Sequence, residues 1–214
     1  MTDQLQEYFD RSLEFNNQVL IIKQCSSGDV GCVVWDAALV LLKFIESDFF
    51  KSKHETLEQK HVIELGSGTG AVGLAASLLG ANVTITDLEE FVPLMQLNVN
   101  TNKALIKGSL MAKTLKWGGS VQEFLPHPDF ILLSDCVYYI QAVGDLVVTL
   151  DELSGHDTEI LCSYEERTIG QNLQSLDKFL TLVNEIFVVD EIPLNQQDPV
   201  YRSEDIHILS MKKR

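Results

Sequence analysis

Basic residues and long hydrophobic runs are two features that this sequence has little of. Its 214 residues include 16 Lys and Arg against 31 Asp and Glu, a formal net charge of −15. A surface of that sign repels phosphates, so we expect no nucleic-acid partner. No apolar run reaches the roughly 18 residues of a membrane span, so we expect none. Residues 1–17 are acidic, unlike a signal or transit peptide, and we expect a cytoplasmic protein that can also be nuclear.

The chain also lacks the residue spacings that bind metals or form disulfide frameworks. Its four cysteines are far apart and include no C-x-x-C pair, and its five histidines do not complete a zinc pattern. We therefore expect reduced cysteines and no metal site. The cysteines are Cys25, Cys32, Cys136 and Cys162.

Hydrophobic content, in contrast, is sufficient for one folded domain. A chain of this length with 45% apolar residues buries roughly 70% of its unfolded surface. Short apolar strands alternate with helical patterns, which predicts an α/β fold with a doubly wound, mostly parallel sheet. We expect a single domain, with a Rossmann-like core at 61–214 and a short N-terminal extension, containing a strand and a helix, at 1–60. Ligands of such folds bind at the carboxyl ends of the strands.

The predicted elements cover most of the chain. In the extension, the pattern predicts a polar start, a strand at 18–24, a Gly-rich turn at 26–29, a helix at 33–50 and a charged connector at 51–60. Core strands are predicted at 61–65, 82–86, 110–115, 130–134, 159–163, 186–191 and 206–211. Core helices are predicted at 70–79, 89–102, 141–153 and 173–184.

The strongest local signal is a buried strand that ends in a glycine-rich loop and continues directly into a helix. It reads Glu64-Leu65-Gly66-Ser67-Gly68-Thr69-Gly70. Glycine lets the backbone approach a ligand closely, and the first turn of a helix offers N–H groups without partners. This context favours an adenosine-containing cofactor over a turn kept only for tight packing. Asp87, at the end of the next strand, can accept hydrogen bonds from both ribose hydroxyls or cap the following helix.

These residues alone leave two cofactors open. Residues 68–73 also match the dinucleotide pattern G-x-G-x-x-G, a weak match by itself. An NAD-dependent oxidoreductase would normally need a second nucleotide-binding half or a separate catalytic region, and the chain shows neither. Tyr138, Tyr139 and Tyr164 also lack the Lys four residues on that short-chain reductases use.

A further motif follows the strand predicted at 130–134. The chain continues as Asp135-Cys136-Val137-Tyr138, an Asp-x-x-Tyr pattern at the edge where a ligand is expected. A buried carboxylate is costly unless it is paired, so its position needs an explanation. Asp135 could be the N-cap of a following helix. Alternatively, it belongs to a loop that shapes a substrate site.

Seven sequence blocks carry a resemblance that extends over nearly the whole chain. They are 31–38, 64–74, 86–90, 115–118, 135–139, 164–168 and 201–208. In these blocks the chain is similar to the methyltransferase-like group of protein-lysine methyltransferases, which belongs to the seven-stranded class. It closely resembles members that modify valosin-containing protein, and other members methylate seventy-kilodalton heat-shock chaperones. The Trp35 block, the Asp-x-x-Tyr pattern and the C-terminal block are more specific than the glycine loop.

The resemblance implies S-adenosylmethionine as the cofactor and assigns roles to ten residues. The implied cofactor-binding residues are Trp35, Glu64, Gly66, Ser67, Gly68, Asp87, Trp117 and Ser134. Trp35 would close over the methionine part, Asp87 would hold the ribose, and Trp117 would pack on the adenine. Asp135 and Tyr138 are implied to be the catalytic residues that face the acceptor lysine. For both Trp residues the alternative is plain core packing.

The implied function is S-adenosylmethionine-dependent N-methylation of a lysine in valosin-containing protein or a related chaperone-like ATPase, by a monomeric enzyme. Two alternatives stay open: a small-molecule methyltransferase and a regulator that binds S-adenosylmethionine without catalysis. An acceptor lysine must be neutral, and at pH 7 the loss of its proton costs a free Lys about 4.6 kcal/mol. Because a carboxylate favours the ammonium form, we expect Asp135 to capture and orient the lysine rather than to remove its proton.

Overall fold

The computed structural model describes residues 7–26, 30–54, 56–167 and 170–214. Within these ranges, no helix has both the length and the apolar character needed to cross a membrane. In chain order, the elements are β1 (Tyr8–Phe15), β2 (Gln18–Cys25), α1 (Asp36–Glu46), α2 (Asp48–His54), β3 (His61–Leu65), α3 (Ala71–Leu78), β4 (Asn82–Asp87), α4 (Val92–Thr101), β5 (Ser109–Thr114), β6 (Phe130–Ser134), α5 (Val143–Leu153), β7 (Glu159–Glu165), α6 (Asn172–Ile186), β8 (Phe187–Glu191) and β9 (Ile206–Lys213).

Seven strands form one sheet, which confirms the predicted doubly wound, mostly parallel architecture. Its order is β5-β4-β3-β6-β7-β9-β8; β9 pairs antiparallel with both β7 and β8, and the other pairs of neighbours in this sheet are parallel. The chain builds one half outward from β3 to β5 and then returns to the middle to begin the other half at β6. The junction between β3 and β6 is therefore the switch point at which ligands bind in such folds.

Helices cover both faces of the parallel strands. Along β3, Val62 packs into one apolar cluster with residues of α1 and α3, whereas Ile63 and Leu65 pack into a second with residues of α5 and α6. Successive side chains of a strand point to opposite faces, so a strand buried on both sides is expected to be almost fully apolar. Glu64 is an exception to this pattern, because it carries a carboxyl group and is nevertheless only 1% exposed.

The polar start predicted before residue 18 is wrong in part, because residues 8–15 form strand β1. This strand pairs antiparallel with β2 across a turn at Asn16 and Asn17. Both turn residues have positive φ, 50° and 58°, which two-residue hairpin turns favour and asparagine tolerates. In β1 only Leu13 and Phe15 are buried, so its mostly polar composition concealed the strand.

The single helix predicted at 33–50 is also wrong, since α1 ends at Glu46 and α2 begins at Asp48. Ser47 between them has extended backbone, and its Oγ accepts a hydrogen bond from the Phe50 N–H at 3.1 Å. Serine is a favoured helix N-cap, which explains the new start. The first residues of the predicted connector at 51–60 therefore belong to α2. The turn predicted at 26–29 falls mainly on 27–29, which lie outside the described residues.

An asparagine of α4 and the asparagine that directly follows this helix form hydrogen bonds along β2, where a neighbouring strand would otherwise pair. Asn98 accepts a hydrogen bond from the Lys23 N–H (2.6 Å) and donates to the Lys23 carbonyl (3.0 Å). Asn102 makes the equivalent pair of bonds with Ile21, each 2.9 Å long. Asn98 also donates to the carbonyl of Thr69 at 2.9 Å. This asparagine clamp, formed by Asn98 and Asn102, connects the N-terminal hairpin to the loop after β3.

We expect Asn98→Ala to lower the free energy of unfolding by about 2 to 4 kcal/mol, because three backbone groups lose their partner. Asn100→Ala is the matched control, since Asn100 is exposed on the same helix. Its effect should stay within about 0.5 kcal/mol. Urea denaturation measures both values, and equal losses in the two variants would contradict the importance of the clamp.

Candidate active site

A cavity of about 500 Å³ opens at the carboxyl ends of β3, β4 and β6. Its size lies within the range of roughly 300 to 1,000 Å³ that small-molecule sites occupy. All ten residues that the resemblance assigns to the site line this cavity, although they come from widely separated segments. They are Trp35, Glu64, Gly66, Ser67, Gly68, Asp87, Trp117, Ser134, Asp135 and Tyr138.

The loop after β3 depends on glycine at two positions. Gly66 and Gly68 have φ of +59° and +50°, a region that residues with a Cβ atom rarely adopt. A Cβ atom at Gly66 would lie 2.7 Å from the Cys136 Sγ, and one at Gly68 would lie 2.6 Å from the Gly31 carbonyl oxygen. These glycines thus let the loop pack closely on other protein segments, and its close approach to a ligand stays a prediction.

Side chains around this loop hold it in place. Ser67 Oγ accepts a hydrogen bond from the Thr86 N–H (3.0 Å) and donates to the Glu64 carbonyl (3.2 Å). Asp87 accepts from the Gly68 N–H and from the Leu88 N–H, both at 2.7 Å. A carboxylate has about four acceptor sites, so these two bonds are compatible with further bonds to ribose hydroxyls. Asp87 therefore both fixes the loop and lines the cavity.

Glu64 lies at the end of the cavity floor, beside the first turn of α3. Its Oε2 accepts a hydrogen bond from the Gly73 N–H at 2.8 Å. Burial is the main influence on its acidity and raises the pKa of Glu64 to about 8, against the opposing effect of the Gly73 N–H. The side chain is consequently protonated over much of the neutral range, and a cation in the cavity would favour its ionised form.

The two tryptophans stand at different places in the cavity wall. Trp35 directly precedes α1 and is 41% exposed, and its Nε1 donates to the Val30 carbonyl at 2.8 Å. Plain core packing therefore does not describe Trp35. Trp117 is half-buried against the apolar cluster of α5 and α6, and its ring lies close enough to Gly66 that a Cβ atom there would be 2.9 Å away. Trp117 thus combines core packing with a place in the cavity wall.

Asp135 and Tyr138 lie at the end of the cavity that β6 forms. Asp135 has a positive φ of 53°, and its side chain is 7% exposed. The N-cap interpretation of Asp135 is wrong, because the next helix, α5, begins only at Val143. Tyr138 is half-buried, and its ring centroid is 4.5 Å from that of the exposed Tyr139.

Arg167 contacts Asp135, and sequence reasoning did not single it out. Its Nη1 and Nη2 donate to the two carboxylate oxygens of Asp135 at 2.8 and 2.5 Å. Nη2 also donates to Glu165 Oε2 at 2.5 Å. The guanidinium carbon lies 5.4 Å from the centroid of the Trp35 ring. We refer to Trp35, Asp135, Glu165 and Arg167 as the arginine cluster. The hydrogen bonds that Arg167 donates to the Asp135 carboxylate raise the pKa of Arg167, so the guanidinium is charged.

The ion pair follows from the pairing of two strands in the sheet. Strands β6 and β7 are parallel neighbours with Ser134 opposite Ser163, so the residues after both strands lie at one edge. Asp135 follows β6 directly, and Arg167 follows β7 by two residues. The pairing was missed because adjacency of these two strands could not be derived from composition or spacing.

Cys136 and Phe91 also line the cavity without having been assigned to it. Burial raises the pKa of the Cys136 thiol well above its usual value, so it stays protonated. Its Sγ lies 3.4 Å from the Leu65 carbonyl oxygen. The Phe91 ring packs so closely on Gly31 that a Cβ atom there would be 2.8 Å from it. Both residues close the apolar side of the cavity.

The residues present fit S-adenosylmethionine better than a dinucleotide. Among the ionisable side chains of described residues in the cavity wall, Asp87, Asp135 and Asp145 are acidic, Lys116 and Arg167 are basic, and Glu64 is a carboxyl group that a cation would ionise. Arg167 is already bound to Asp135. Such a wall suits a cationic ligand with ribose hydroxyls and disfavours the two negative charges of a pyrophosphate. The glycine backbone at 66–68 leaves space for a ligand directly above the strand end.

The family comparison agrees with this assignment. A family model described as lysine methyltransferase matches residues 14–185. Protein N-lysine methyltransferase METTL21A of Xenopus tropicalis is 34% identical over 216 residues, which cover 98% of this chain and 92% of the relative. Protein-lysine methyltransferase METTL21E of Bos taurus is 38% identical over 167 residues, which cover 76% of this chain and 55% of the relative. The chain thus spans little more than half the length of the cattle relative.

A solved structure shares the fold. Magnesium protoporphyrin IX methyltransferase (ChlM) from Synechocystis PCC 6803, with bound SAH, superposes with a TM-score of 0.58. The match covers 88% of this chain and 90% of that chain at 14% identity. At this identity the likeness concerns the arrangement of helices and strands alone.

We expect Gly68→Ala to weaken binding of S-adenosylhomocysteine at least about tenfold, because a strained φ and a backbone clash together cost about 1 to 3 kcal/mol or more. Gly144→Ala is the control, since a Cβ atom at this helical glycine meets nothing within 4 Å. That variant should bind normally and be more stable by about 0.5 to 1 kcal/mol. Isothermal titration calorimetry measures the affinities, and unchanged binding by Gly68→Ala would refute the role of the loop.

A second prediction concerns Glu64, whose pKa of about 8 lies above the unfolded value. Between pH 5 and 8 the folded protein holds a proton that the unfolded chain has lost. This group therefore lowers stability by about 1.4 kcal/mol per pH unit as the pH rises. Glu64→Gln lacks this dependence, so its melting temperature relative to wild type should increase from pH 5 to pH 8. A difference between the two proteins that is constant with pH would contradict the assignment.

Proposed function

Since this chain belongs to the lysine methyltransferase family, we propose that it methylates a lysine of valosin-containing protein or of a related chaperone-like ATPase. The family establishes the coarser activity: the protein is an S-adenosylmethionine-dependent protein-lysine methyltransferase. The observation that carries the assignment of the site is the position of Asp135 and Tyr138 in the wall of the cavity that Glu64 and Asp87 also line.

In the proposed mechanism the cofactor and the acceptor occupy opposite ends of one cavity. Glu64, Asp87 and the glycine loop would hold S-adenosylmethionine, with Trp35 and Trp117 in contact with its two ends. When bound, S-adenosylmethionine supplies an electrophilic methyl group on a positively charged sulfur. Asp135 and Tyr138 would hold the lysine side chain with its nitrogen directed into the cavity. The polypeptide forms no covalent bond in this scheme.

Positioning is the main contribution that we assign to the protein. Holding two reactants in line corresponds to effective molarities that reach roughly 10⁵ to 10⁸ M. Asp135 would capture the ammonium form of the lysine, and Tyr138 would align its nitrogen through the hydroxyl group or the ring. The apolar wall, which includes Phe91 and Cys136, would exclude water and favour the neutral amine. The released proton goes to solvent.

A protein substrate is supported by the surroundings of the acceptor end. The C-terminal block at 201–208, one of the three more specific parts of the resemblance, lies beside the arginine cluster. The Glu166 N–H donates to the Asp205 carbonyl at 2.7 Å, and Tyr201, Asp205 and Glu165 share a smaller pocket of about 240 Å³. Residues of this block are therefore placed to contact the chain that flanks an acceptor lysine. The net charge of −15 favours a basic segment at that position.

We expect tritium from labelled S-adenosylmethionine to enter one protein in a lysate of cells that lack this enzyme. That band should have the size of valosin-containing protein, and purified valosin-containing protein should take the label at a single lysine. Asp135→Asn should reduce kcat/KM by about 10- to 100-fold, which corresponds to about 1.4 to 2.7 kcal/mol, because the acceptor lysine loses a charged partner in a mostly buried position. Its affinity for S-adenosylhomocysteine should be unchanged.

Asp190→Asn is the matched control, since Asp190 is exposed on β8 at the far edge of the sheet. It should transfer methyl groups at the wild-type rate. Label on a different protein would refute the substrate assignment. Full activity of Asp135→Asn with unchanged substrate affinity would refute the role of Asp135, and cofactor binding without any labelled protein would favour a small-molecule acceptor.

A further inference from the structure

The arginine cluster places a permanent cation at the position where an acceptor lysine must lose its charge. Nη1 and Nη2 of Arg167 donate hydrogen bonds to Oδ1 and Oδ2 of Asp135, at 2.8 and 2.5 Å. The side chain of Asp135 is 7% exposed and that of Arg167 is 26% exposed. A bidentate ion pair that is mostly buried has a defined geometry and is only partly screened by solvent.

A bare carboxylate at this position would oppose the reaction. The amine must be neutral to attack, whereas a negative charge within about 4 to 6 Å raises the pKa of an ammonium group by about 1 to 3. With Arg167 in place, Asp135 and the guanidinium have a combined charge of zero. The carboxylate can still accept a hydrogen bond from the amine, because two donors leave acceptor sites on its oxygens. Asp135 can therefore orient the acceptor amine while Arg167 offsets the negative charge that would favour the ammonium form.

The other charged groups around the acceptor end make this compensation necessary. Glu165 is a second partner of Arg167, and Asp36 at the start of α1 lies beyond it in the smaller pocket. Glu64, Asp87 and Asp145 line the cavity from β3, β4 and α5, and Lys116 is the remaining cation of the wall described above. Cys136, Tyr138 and Tyr139 also line this part of the cavity, and burial raises the pKa of the Cys136 thiol. Glu165 thus adds a negative charge next to Arg167 at the acceptor end, with Asp36 beyond it, and further carboxyl groups line the rest of the cavity.

We propose that Arg167 is a positioning residue that neutralises Asp135, so that the acceptor lysine loses its proton near neutral pH. This inference rests on the proposed placement of the lysine at Asp135 and adds a separate role for Arg167. Arg167 acts through Asp135 and does not touch the reacting methyl group. The proton of the lysine leaves to solvent, and Arg167 retains its own protons throughout.

The experiment compares Arg167→Gln with Arg167→Lys in methyl transfer to valosin-containing protein, or to whichever lysate protein the wild type labels. For Arg167→Gln, the rise of kcat with pH should move upward by at least about one pH unit. At pH 7 its kcat should fall about tenfold and should recover above pH 9, whereas KM should stay constant or decrease. Arg167→Lys retains the charge and should keep the wild-type pH profile.

Glu165→Gln provides a second test with the opposite sign. Removing this carboxylate lowers the negative charge around Arg167, so the pH profile should stay in place or shift downward. Melting curves and binding of S-adenosylhomocysteine identify any variant that fails to fold, in which case Arg167→Lys and Glu165→Gln still test the inference.

Three results would overturn the inference. An equal loss of kcat for Arg167→Gln at every pH would mean that Arg167 is only structural. A lower KM with unchanged kcat would mean that Arg167 only competes with the lysine for Asp135. An upward shift for Glu165→Gln would exclude charge compensation. If the wild type labels another protein, the substrate proposal fails while the pH profiles on that protein still decide the role of Arg167.

Discussion

The parallel pairing of β3 with β6 determines where every part of the cavity lies. Leu65 is opposite Leu133 at the end of this pair, so the glycine loop and Asp135 emerge next to each other. Because the two halves of the sheet extend outward from this junction, Asp87 arrives from the β4 side and Arg167 from the β7 side. A shift of one residue in register would turn Ile63 and Leu65 to the opposite face and remove Glu64 from the cavity. Burial of apolar residues on both faces therefore fixes the site as firmly as it fixes the sheet.

The cavity brings carboxyl groups together, and the protein resolves the electrostatic cost in two ways. Glu64 is fully buried and lowers its cost by keeping its proton, as its raised pKa indicates. Asp135 is instead paired with the guanidinium of Arg167, which binds both of its carboxylate oxygens. The protonation state of Glu64 can change when a ligand binds, because a cation beside Glu64 favours release of its proton. The compensation of Asp135 by Arg167 does not change with pH, because an arginine guanidinium does not lose its charge at any ordinary pH.

The features that could be predicted from sequence are those that depend on neighbouring residues in the chain. The short apolar strands, the glycine loop, Asp87 at the end of β4 and Asp135 after β6 follow from local patterns, and all ten assigned residues line one cavity. The Arg167 ion pair and the asparagine clamp depend on contacts across 32 and 75 positions of the chain. The break at Ser47 was hidden by continuous helical periodicity on both sides. No window of sequence contains the strand adjacency that creates such long-range contacts.

The proposed cofactor end and the proposed acceptor end of the cavity differ in how much the backbone contributes to each. At the proposed cofactor end, Gly66 and Gly68 present main-chain atoms, and Glu64 and Asp87 present side chains that come from the strands beside them. At the proposed acceptor end, Asp135, Tyr138 and Arg167 present side chains from two separate segments of the chain. Side chains can be exchanged without rebuilding the turn, whereas backbone geometry cannot. Selection for a new acceptor can therefore act on the second end while cofactor binding is preserved, and the charge balance between Asp135 and Arg167 is a feature that such a change must retain if the acceptor is an amine.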